Sequence, residues 1–215
     1  MENQDCEFCN EFRTNNVTTF SRLYNDAIVD RTLLESRSFK VIPTLGQLFD
    51  YSMLVIPKNH FETMSALSLP ELTELTGVYK QVSSRLSKLG HVIGFEHGAQ
   101  KITGGGCGIF HAHLHIIPLP EKVDLFKFFK HEYKIYSSLE SALQNSNGSK
   151  EYLIAINEDE TVGYLDLTKM PGTYPSQYFR KALCKRFNLP MPWDWKEYNY
   201  VENRIMGAVR ENVLQ

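Results

Sequence analysis

The chain has 215 residues, of which 42% are hydrophobic, and its formal net charge at pH 7 is −2. A chain of this length buries about 70% of its unfolded surface, which is enough for one complete core with an appendage. The nearly balanced charge gives no basic surface for a nucleic-acid backbone, and no apolar run approaches the length that spans a membrane.

The N-terminus and the cysteines indicate the compartment. Residues 1–5 are polar and acidic, unlike the start of a signal peptide. The chain has four cysteines, and without an export signal these favour a reducing compartment over disulfide bonds. We therefore expect a cytoplasmic protein that makes no membrane contact.

The N-terminal half predicts the first strands of a sheet. Residues 6–10 predict a short knuckle, and the apolar residues 27–29 could form a strand. Residues 33–42 and 50–56 predict two strands, which a Pro-Thr-Leu-Gly turn at 43–46 would join.

A long helix is predicted after these strands. Ser68 can cap it, Pro70 suits its first turn, and Glu71 favours its positive end. Apolar residues then recur at helical spacing until Gly90 ends the helix. These residues are Leu72, Leu75, Val78, Tyr79, Val82 and Leu86.

Residues 91–95 and 109–117 predict the last strands of the sheet, which ends at Pro118. The predicted fold class is therefore α+β, with about five antiparallel strands and one long helix packed on them. Residues 1–120 form the predicted catalytic core. Residues 121–215 are expected to pack on it as an elaboration, because no low-complexity linker separates the two parts.

The C-terminal part predicts one hairpin and several helices. Residues 123–143 are aromatic and amphipathic, which favours a helix. Residues 152–156 and 162–167 predict a hairpin. Residues 176–187 and 195–213 predict closing helices.

Three of the seven histidines occupy alternate positions of one predicted strand. His111, His113 and His115 would share one strand face, with neighbours about 6–7 Å apart. Imidazoles side by side in a partly dry site are tolerated only when they are neutral or paired, so packing alone explains them poorly. The trio therefore predicts a site of chemistry.

The run His-Ala-His-Leu-His-Ile-Ile at 111–117 follows the glycine-rich segment 104–108, and together they resemble the signature of the histidine triad (HIT) superfamily of nucleotidyl hydrolases and transferases. Leu-Val-Ile-Pro-Lys-Asn-His at 54–60 is similar to an upstream strand and turn of that superfamily. Phe-Glu-His-Gly at 95–98 is similar to the end of its penultimate strand. The resemblance implies a HIT-like fold and a small-molecule nucleotide substrate, and it suggests a homodimer.

Cys6 and Cys9 form a Cys-x-x-Cys pair, which can hold one zinc ion but supplies only half of a tetrahedral shell. A redox pair or two ordinary thiols are the alternatives. In zinc-bearing members of the superfamily, two cysteines combine with an upstream histidine and the first triad histidine. The resemblance therefore implies a structural zinc held by Cys6, Cys9, His60 and His111.

His113 is the candidate nucleophile, because a neutral imidazole nitrogen can attack the α-phosphorus of a nucleotide. The glycine-rich segment can bring backbone N–H groups close to a phosphate, although a merely flexible loop is the alternative. Its candidate substrate-binding residues are Gly105, Gly106, Cys107 and Gly108. His115 is a second candidate catalytic residue that could donate to a phosphate oxygen, or else hold the loop.

Two further residues are candidates for substrate binding. Members of the superfamily have a neutral Asn or Gln near the position of Glu96, and a carboxylate beside a phosphate is repulsive unless it is protonated or paired, for example with His97. Glu96 would otherwise face away. Arg180 could pair with a substrate phosphate, with a helix-surface arginine as the alternative.

The sequence therefore predicts a nucleotidyl hydrolase or transferase that acts through a nucleotidyl-histidine. Dinucleoside polyphosphates and nucleoside phosphoramidates both offer the α-phosphorus that such an enzyme attacks. Two alternatives stay open at this point. One is a metal-dependent hydrolase that uses the triad as ligands, and the other is a nucleotide-binding regulatory protein with little turnover.

Overall fold

The structure is a computed structural model that describes residues 6–13, 17–24, 30–103, 108–146, 149–170, 172–190 and 192–197, together with residues 208, 211, 213 and 214. Its strands are β1 (Leu34–Glu35), β2 (Phe39–Pro43), β3 (Met53–Pro57), β4 (His91–Ala99), β5 (Leu114–Leu119), β6 (Lys134–Tyr136), β7 (Glu151–Ile156) and β8 (Val162–Asp166). Its helices are α1 (Glu7–Glu11), α2 (Thr19–Tyr24), α3 (Leu69–Leu86), α4 (Leu139–Gln144) and α5 (Tyr178–Arg186). Short 3-10 turns lie at Met64–Ala66, Lys101–Thr103 and Leu125–Phe128.

The strands described form one eight-stranded sheet in the order β1-β2-β3-β5-β4-β7-β8-β6. Each neighbouring pair is antiparallel. The α+β class is thus confirmed, but the sheet is larger than predicted, because the C-terminal hairpin β7–β8 continues it through β4. The predicted strand over residues 27–29 lies outside the described residues.

One face of the sheet packs against α3. Ser68 caps the helix as predicted, and it forms a capping box with Glu71, whose carboxylate accepts from the backbone N–H and the hydroxyl of Ser68. The apolar stripe of α3 that the periodicity predicted is buried. It meets the alternate strand residues that include Leu114 and Ile116. Burial of this stripe holds α3 to the sheet.

The opposite face carries the odd-numbered residues of β5 and is covered at its two ends. Helix α1 packs with Cys6 and Phe8 against Leu54 of β3. Helix α5, which lies within the predicted segment 176–187, packs with Phe179 against Phe95 of β4, with 4.9 Å between the ring centroids. Between α1 and α5 this face is left to the triad histidines.

The prediction of one helix over residues 123–143 is wrong. This segment contains the 3-10 turn Leu125–Phe128, strand β6 and helix α4. Phe126 and Phe129 fill the space above Gly163 of β8, while β6 pairs with β8 at the edge of the sheet. Tertiary pairing therefore outweighs the helical periodicity. The predicted helix over 195–213 lies mostly outside the described residues.

None of the described helices is both long enough and apolar enough to cross a membrane.

Candidate functional site

Two cysteines and two histidines converge where α1 meets the ends of the strands. The Sγ atom of Cys6 lies 3.3 Å from Nδ1 of His111. The Sγ atom of Cys9 lies 3.4 Å from Nδ1 of His60 and 3.6 Å from Nδ1 of His111. The four potential ligand atoms all lie within 4.8 Å of one another, close enough to hold a metal ion.

The ring of His111 is oriented for this role by the backbone. Its Nε2 lies 2.9 Å from the carbonyl oxygen of Pro57, so Nε2 carries the hydrogen and donates it. Nδ1 is then the nitrogen with the lone pair, and it faces both cysteine sulfurs. Burial lowers the pKa of His111 to about 4, which keeps the ring neutral as a metal ligand requires.

His113 is held in the complementary tautomer. Its Nδ1–H donates to the carbonyl oxygen of His111 over 2.6 Å, which leaves Nε2 with an available lone pair. Burial lowers the pKa of His113, so the ring is neutral near pH 7. Phe8 of α1 packs against it with the ring centroids 5.6 Å apart. An oriented neutral imidazole of this kind is a competent nucleophile.

His115 lies beside His113 with their ring centroids 5.3 Å apart. Its ring stacks on Phe95 at 4.6 Å. Both of its ring nitrogens are buried, and neither has a hydrogen-bond partner in the part of the chain that the structure describes. Burial and the positive charge of Arg180 hold the pKa of His115 well below its usual range.

A cavity of about 530 Å³, part of it open to solvent, lies between α1 and α5 on the triad face. His113, His115 and Arg180 line it together with apolar residues that include Phe8 of α1 and Leu54 of β3. A second, more open cleft shares four of its lining residues: Glu7, Thr19, Ile109 and Trp195. The second cleft adds Arg22, Gly108 and Lys196. The space beside the triad thus continues toward two cationic side chains.

Arg180 is buried rather than on a helix surface. Its Nε donates to the carbonyl oxygen of Trp193 over 2.9 Å, and its Nη2 donates to that of Gly46 over 2.7 Å. Gln177, which precedes α5, also lines the cavity and has a left-handed backbone with φ 57°. The C-terminal segment therefore closes one side of the triad site with a fixed positive charge.

Glu96 does not lie in this cavity. It is on the α3 face of the sheet, where its carboxylate accepts from Tyr152 Oη at 2.6 Å and from the backbone N–H of Met64 at 3.2 Å. Burial raises the pKa of Glu96 to about 8. The structure separates Glu96 from the triad, in contrast to its predicted role in substrate binding, because alternation along β4 turns it to the other face.

His97, the next residue of β4, faces the triad side. Its Nε2 lies 3.0 Å from Oε1 of Glu151 on β7, and both side chains are buried. Sequence reasoning missed Glu151, which directly precedes the predicted strand 152–156. The available signal was that Glu151, Leu153 and Ala155 are alternate residues, which places their side chains on the same face of the sheet.

Part of the predicted phosphate-binding loop can be placed. Gly108 has φ +79°, a left-handed backbone that favours glycine, and lines the second cleft. The predictions for Gly105, Gly106 and Cys107 lie outside the described residues.

Several solved structures are similar to this chain. A hypothetical histidine triad nucleotide-binding protein from Sulfolobus tokodaii is 29% identical, and the match covers 59% of this chain and 87% of that one with a TM-score of 0.39. A DUF4931 family protein from Bacillus cereus is 14% identical over 85% of this chain and 97% of its own, with a TM-score of 0.46. Yeast Ap4A phosphorylase, in complex with AMP, is 15% identical over 64% of this chain and 59% of its own, with a TM-score of 0.41.

Among curated proteins, none matches the chain. The family model of the HIT domain matches residues 49–122. This segment contains β3, α3, β4 and β5, together with His60 and the three triad histidines. The match confirms the resemblance that the triad motif indicated, and the chain carries a HIT domain at residues 49–122.

Proposed function

We propose that this protein is a nucleotidyl hydrolase or transferase that acts at the α-phosphate of a nucleotide conjugate through a nucleotidyl-histidine intermediate on His113. The observation that carries the proposal is the hydrogen bond from His113 Nδ1 to the carbonyl oxygen of His111. It fixes the tautomer whose Nε2 can attack, in a ring that lines the cavity.

In the first step, the lone pair of His113 Nε2 forms a bond to the α-phosphorus while the bond to the leaving group breaks. Arg180 places positive charge beside the site, where it offsets the charge on the phosphate oxygens. His115 is neutral and can donate one N–H to a phosphate oxygen. A nucleophile then attacks the phosphorus, the N–P bond breaks, and its electron pair returns to Nε2. Water as that nucleophile makes the enzyme a hydrolase.

The metal centre is proposed to be structural zinc. Bonds of about 2.3 Å to sulfur and 2.0 Å to nitrogen in a tetrahedral site place neighbouring ligand atoms about 3.5 Å apart. The observed Sγ–Nδ1 distances of 3.3, 3.4 and 3.6 Å fit this spacing. Bound zinc would supply cross-linking rather than reactivity, since four protein ligands leave no open position for water. Cys6 and Cys9 would then hold Phe8 against His113.

The same geometry disfavours a hydrolase whose catalytic metal is bound by the triad. Both ring nitrogens of His111 are committed, one to the Pro57 carbonyl and the other to the cysteine sulfurs. Among the described residues, the group that could hold a metal is the one formed by Cys6, Cys9, His60 and His111. We therefore retain His111 as a structural ligand and His113 as the nucleophile.

The proposed substrates are small nucleotide conjugates such as dinucleoside polyphosphates and nucleoside phosphoramidates. Their anionic leaving groups suit the second cleft, which Arg22 and Lys196 line. A cytoplasmic location and a homodimer belong to the same proposal and follow from the composition and the family resemblance.

The test is a product assay with wild type, His113→Asn and the exposed-site control His91→Asn. Each protein meets adenosine and guanosine polyphosphates and phosphoramidates, and products are separated by chromatography while intact-protein mass spectrometry looks for a nucleotidyl adduct. We expect nucleoside monophosphate release by wild type and control, with a loss of about a thousandfold or more in His113→Asn. Equal release by the His113 variant would reject the nucleophile. Binding without release by wild type would favour the regulatory alternative.

A further inference from the structure

A buried histidine–glutamate pair lies on the triad face and has no part in the steps above. His97 is 4% exposed and Glu151 is 0% exposed, and Nε2 of the first lies 3.0 Å from Oε1 of the second. They stand on β4 and β7, which are adjacent strands of the sheet. Since Glu151 accepts the hydrogen of Nε2, Nδ1 of His97 remains as the nitrogen that can exchange a proton.

The pair is incompletely satisfied in a way that a purely structural pair is not expected to be. Nδ1 of His97 and Oε2 of Glu151 are both buried, and neither has a hydrogen-bond partner within the described ranges of the chain. Buried polar atoms are normally paired, and a buried ion pair seldom improves stability over apolar side chains. Strands β4 and β7 are already joined by a ladder that runs from Gly94–Ile156 to Ala99–Glu151.

The sheet places His97 on the same face as the proposed nucleophile. Strands β4 and β5 are antiparallel, with Phe95 directly opposite His115. His97 lies two residues beyond Phe95 on β4, and His113 lies two residues before His115 in the chain, so both lie just past the last pair of this ladder and on the same face. A positive charge on His97 also contributes to the lowered pKa of His113, as expected for close neighbours.

We infer that His97 is the general acid and general base of nucleotidyl transfer, and that Glu151 is its positioning residue. The inference rests on the proposed function. In the first half-reaction, protonated His97 gives its Nδ1 proton to the leaving atom as the bond from that atom to phosphorus breaks. In the second, Nδ1 takes a proton from the attacking water as the new O–P bond forms and the N–P bond to His113 breaks. The proton count of His97 is then restored.

His115 is less suited to carry this proton. Its charged form has no carboxylate partner in the described structure, and Arg180 adds a positive charge beside it. Glu151 instead supplies His97 with the counter-charge that an imidazolium needs in a buried site. The two histidines therefore have different roles: His115 stays neutral and donates a hydrogen bond, while His97 exchanges a proton.

The test compares two AMP conjugates that differ in the proton demand of their leaving groups. The p-nitrophenyl ester releases a phenolate that needs no proton, whereas an N-alkyl phosphoramidate releases an amine that must be protonated. Wild type, His97→Gln and Glu151→Gln are compared by kcat/KM, which reports the step that expels the leaving group. His91→Gln is the matched control. His91 lies on the same strand as His97, and its Nδ1 forms an exposed pair with Oε1 of Glu158 at 2.7 Å. The ratio of the two rates within one preparation is independent of the fraction of folded protein.

We expect His97→Gln to lower kcat/KM about 100-fold or more for the phosphoramidate and less than about tenfold for the ester. The ester should also give a burst of nitrophenol and a persistent AMP adduct, because water attack lacks its base. Glu151→Gln should change the ratio in the same direction by about tenfold. An equal loss with both substrates, or the absence of a burst, would overturn the inference while leaving the proposed function intact. If wild type releases AMP from neither conjugate, both fail.

Discussion

His113 donates its Nδ1 hydrogen to the backbone carbonyl of His111, whose own ring contacts Cys6 and Cys9 of the candidate metal site. One residue therefore belongs to two candidate sites: its side chain is one of the four potential metal ligands, and its backbone orients the proposed nucleophile. Movement of the His111 backbone would change both. The candidate metal site and the proposed chemistry are coupled through this single residue.

This coupling predicts that loss of one metal ligand lowers stability and activity together. We expect one zinc per chain in the purified protein and substoichiometric zinc in Cys9→Ser. The melting temperature should fall by about 5–10 °C, because binding of a structural metal stabilises the folded state directly. Metal analysis and thermal unfolding check this.

Cys184→Ser is the control, since Cys184 is a buried thiol on α5 outside the metal-ligand set. It should retain full zinc content. A Cys9→Ser protein with unchanged zinc and melting temperature would contradict the assigned ligands.

A second prediction concerns Glu96 and the pH dependence of stability. The pKa of Glu96 is raised from 4.5 to about 8 by burial. Between these pH values the folded protein holds a proton that the unfolded chain has released. The free energy of unfolding therefore falls as the pH rises through this range, by at most about 1.4 kcal/mol per pH unit from this group, and levels off above it.

Glu96→Gln is neutral in both states and should remove this contribution. We expect the variant to lose stability less steeply than wild type between pH 5 and 8 in denaturant titrations, with the difference reaching a few kcal/mol. The exposed Glu132→Gln should follow the wild-type curve. If the free energy of unfolding changed with pH in the same way for wild type and Glu96→Gln, the carboxyl group would be ionised in the folded protein.

The sequence predicts the local features of this fold better than the relations between distant strands. Alternation places the three triad histidines on one face, and the capping box at Ser68 and Glu71 is local, so both are readable. The resemblance to HIT proteins supplied the candidate metal ligands, which lie close together as implied. These features depend on short spacings or on a known motif.

Other features depend on which strands become neighbours. The pair of His97 and Glu151 joins residues 54 positions apart, on strands that the sheet order alone brings together. The face of the sheet on which Glu96 lies depends on its position along β4, since a shift of one residue would turn its side chain to the opposite face. The aromatic segment 123–143 has a helical period, but its centre forms the edge strand β6, which pairs with β8. No local pattern carries such information.

A third prediction concerns the buried ion pair that ties α1 to the sheet. Arg31 donates through Nε and Nη2 to the two carboxylate oxygens of Glu11 at 2.7 and 2.9 Å, and through Nη1 to the carbonyl oxygen of Pro43 at 2.6 Å. Its side chain is 2% exposed and that of Glu11 is 12% exposed. Arg31→Met should cost about 3–5 kcal/mol, because it leaves a largely buried carboxylate unpaired.

The double variant Glu11→Gln/Arg31→Met separates the charge from the packing. It should recover part of that loss in denaturant titrations, since no unpaired charge remains. Strictly additive losses from the two single variants would mean that the pair carries no coupling energy.

The last prediction concerns Arg180, which the sequence left between a surface position and a phosphate contact. The residue is buried, lines the cavity and places its charge beside His115. Arg180→Gln should lower kcat/KM for nucleotide conjugates by about tenfold to a hundredfold, because the charge opposite the phosphate is lost. Arg180→Lys should recover part of this loss, because it keeps the charge but not the two-pronged geometry.

The neighbouring Lys181→Gln serves as control, because Lys181 contacts the Trp193 ring at 5.3 Å and does not line the cavity. It should leave kcat/KM within about twofold of wild type, as expected for a surface substitution. Arg180 also holds the backbone of Gly46 and Trp193, so its variants need a melting curve beside the kinetics. If Arg180→Lys and Arg180→Gln lower kcat/KM equally, the guanidinium acts by holding the carbonyl groups of Gly46 and Trp193 rather than by its charge.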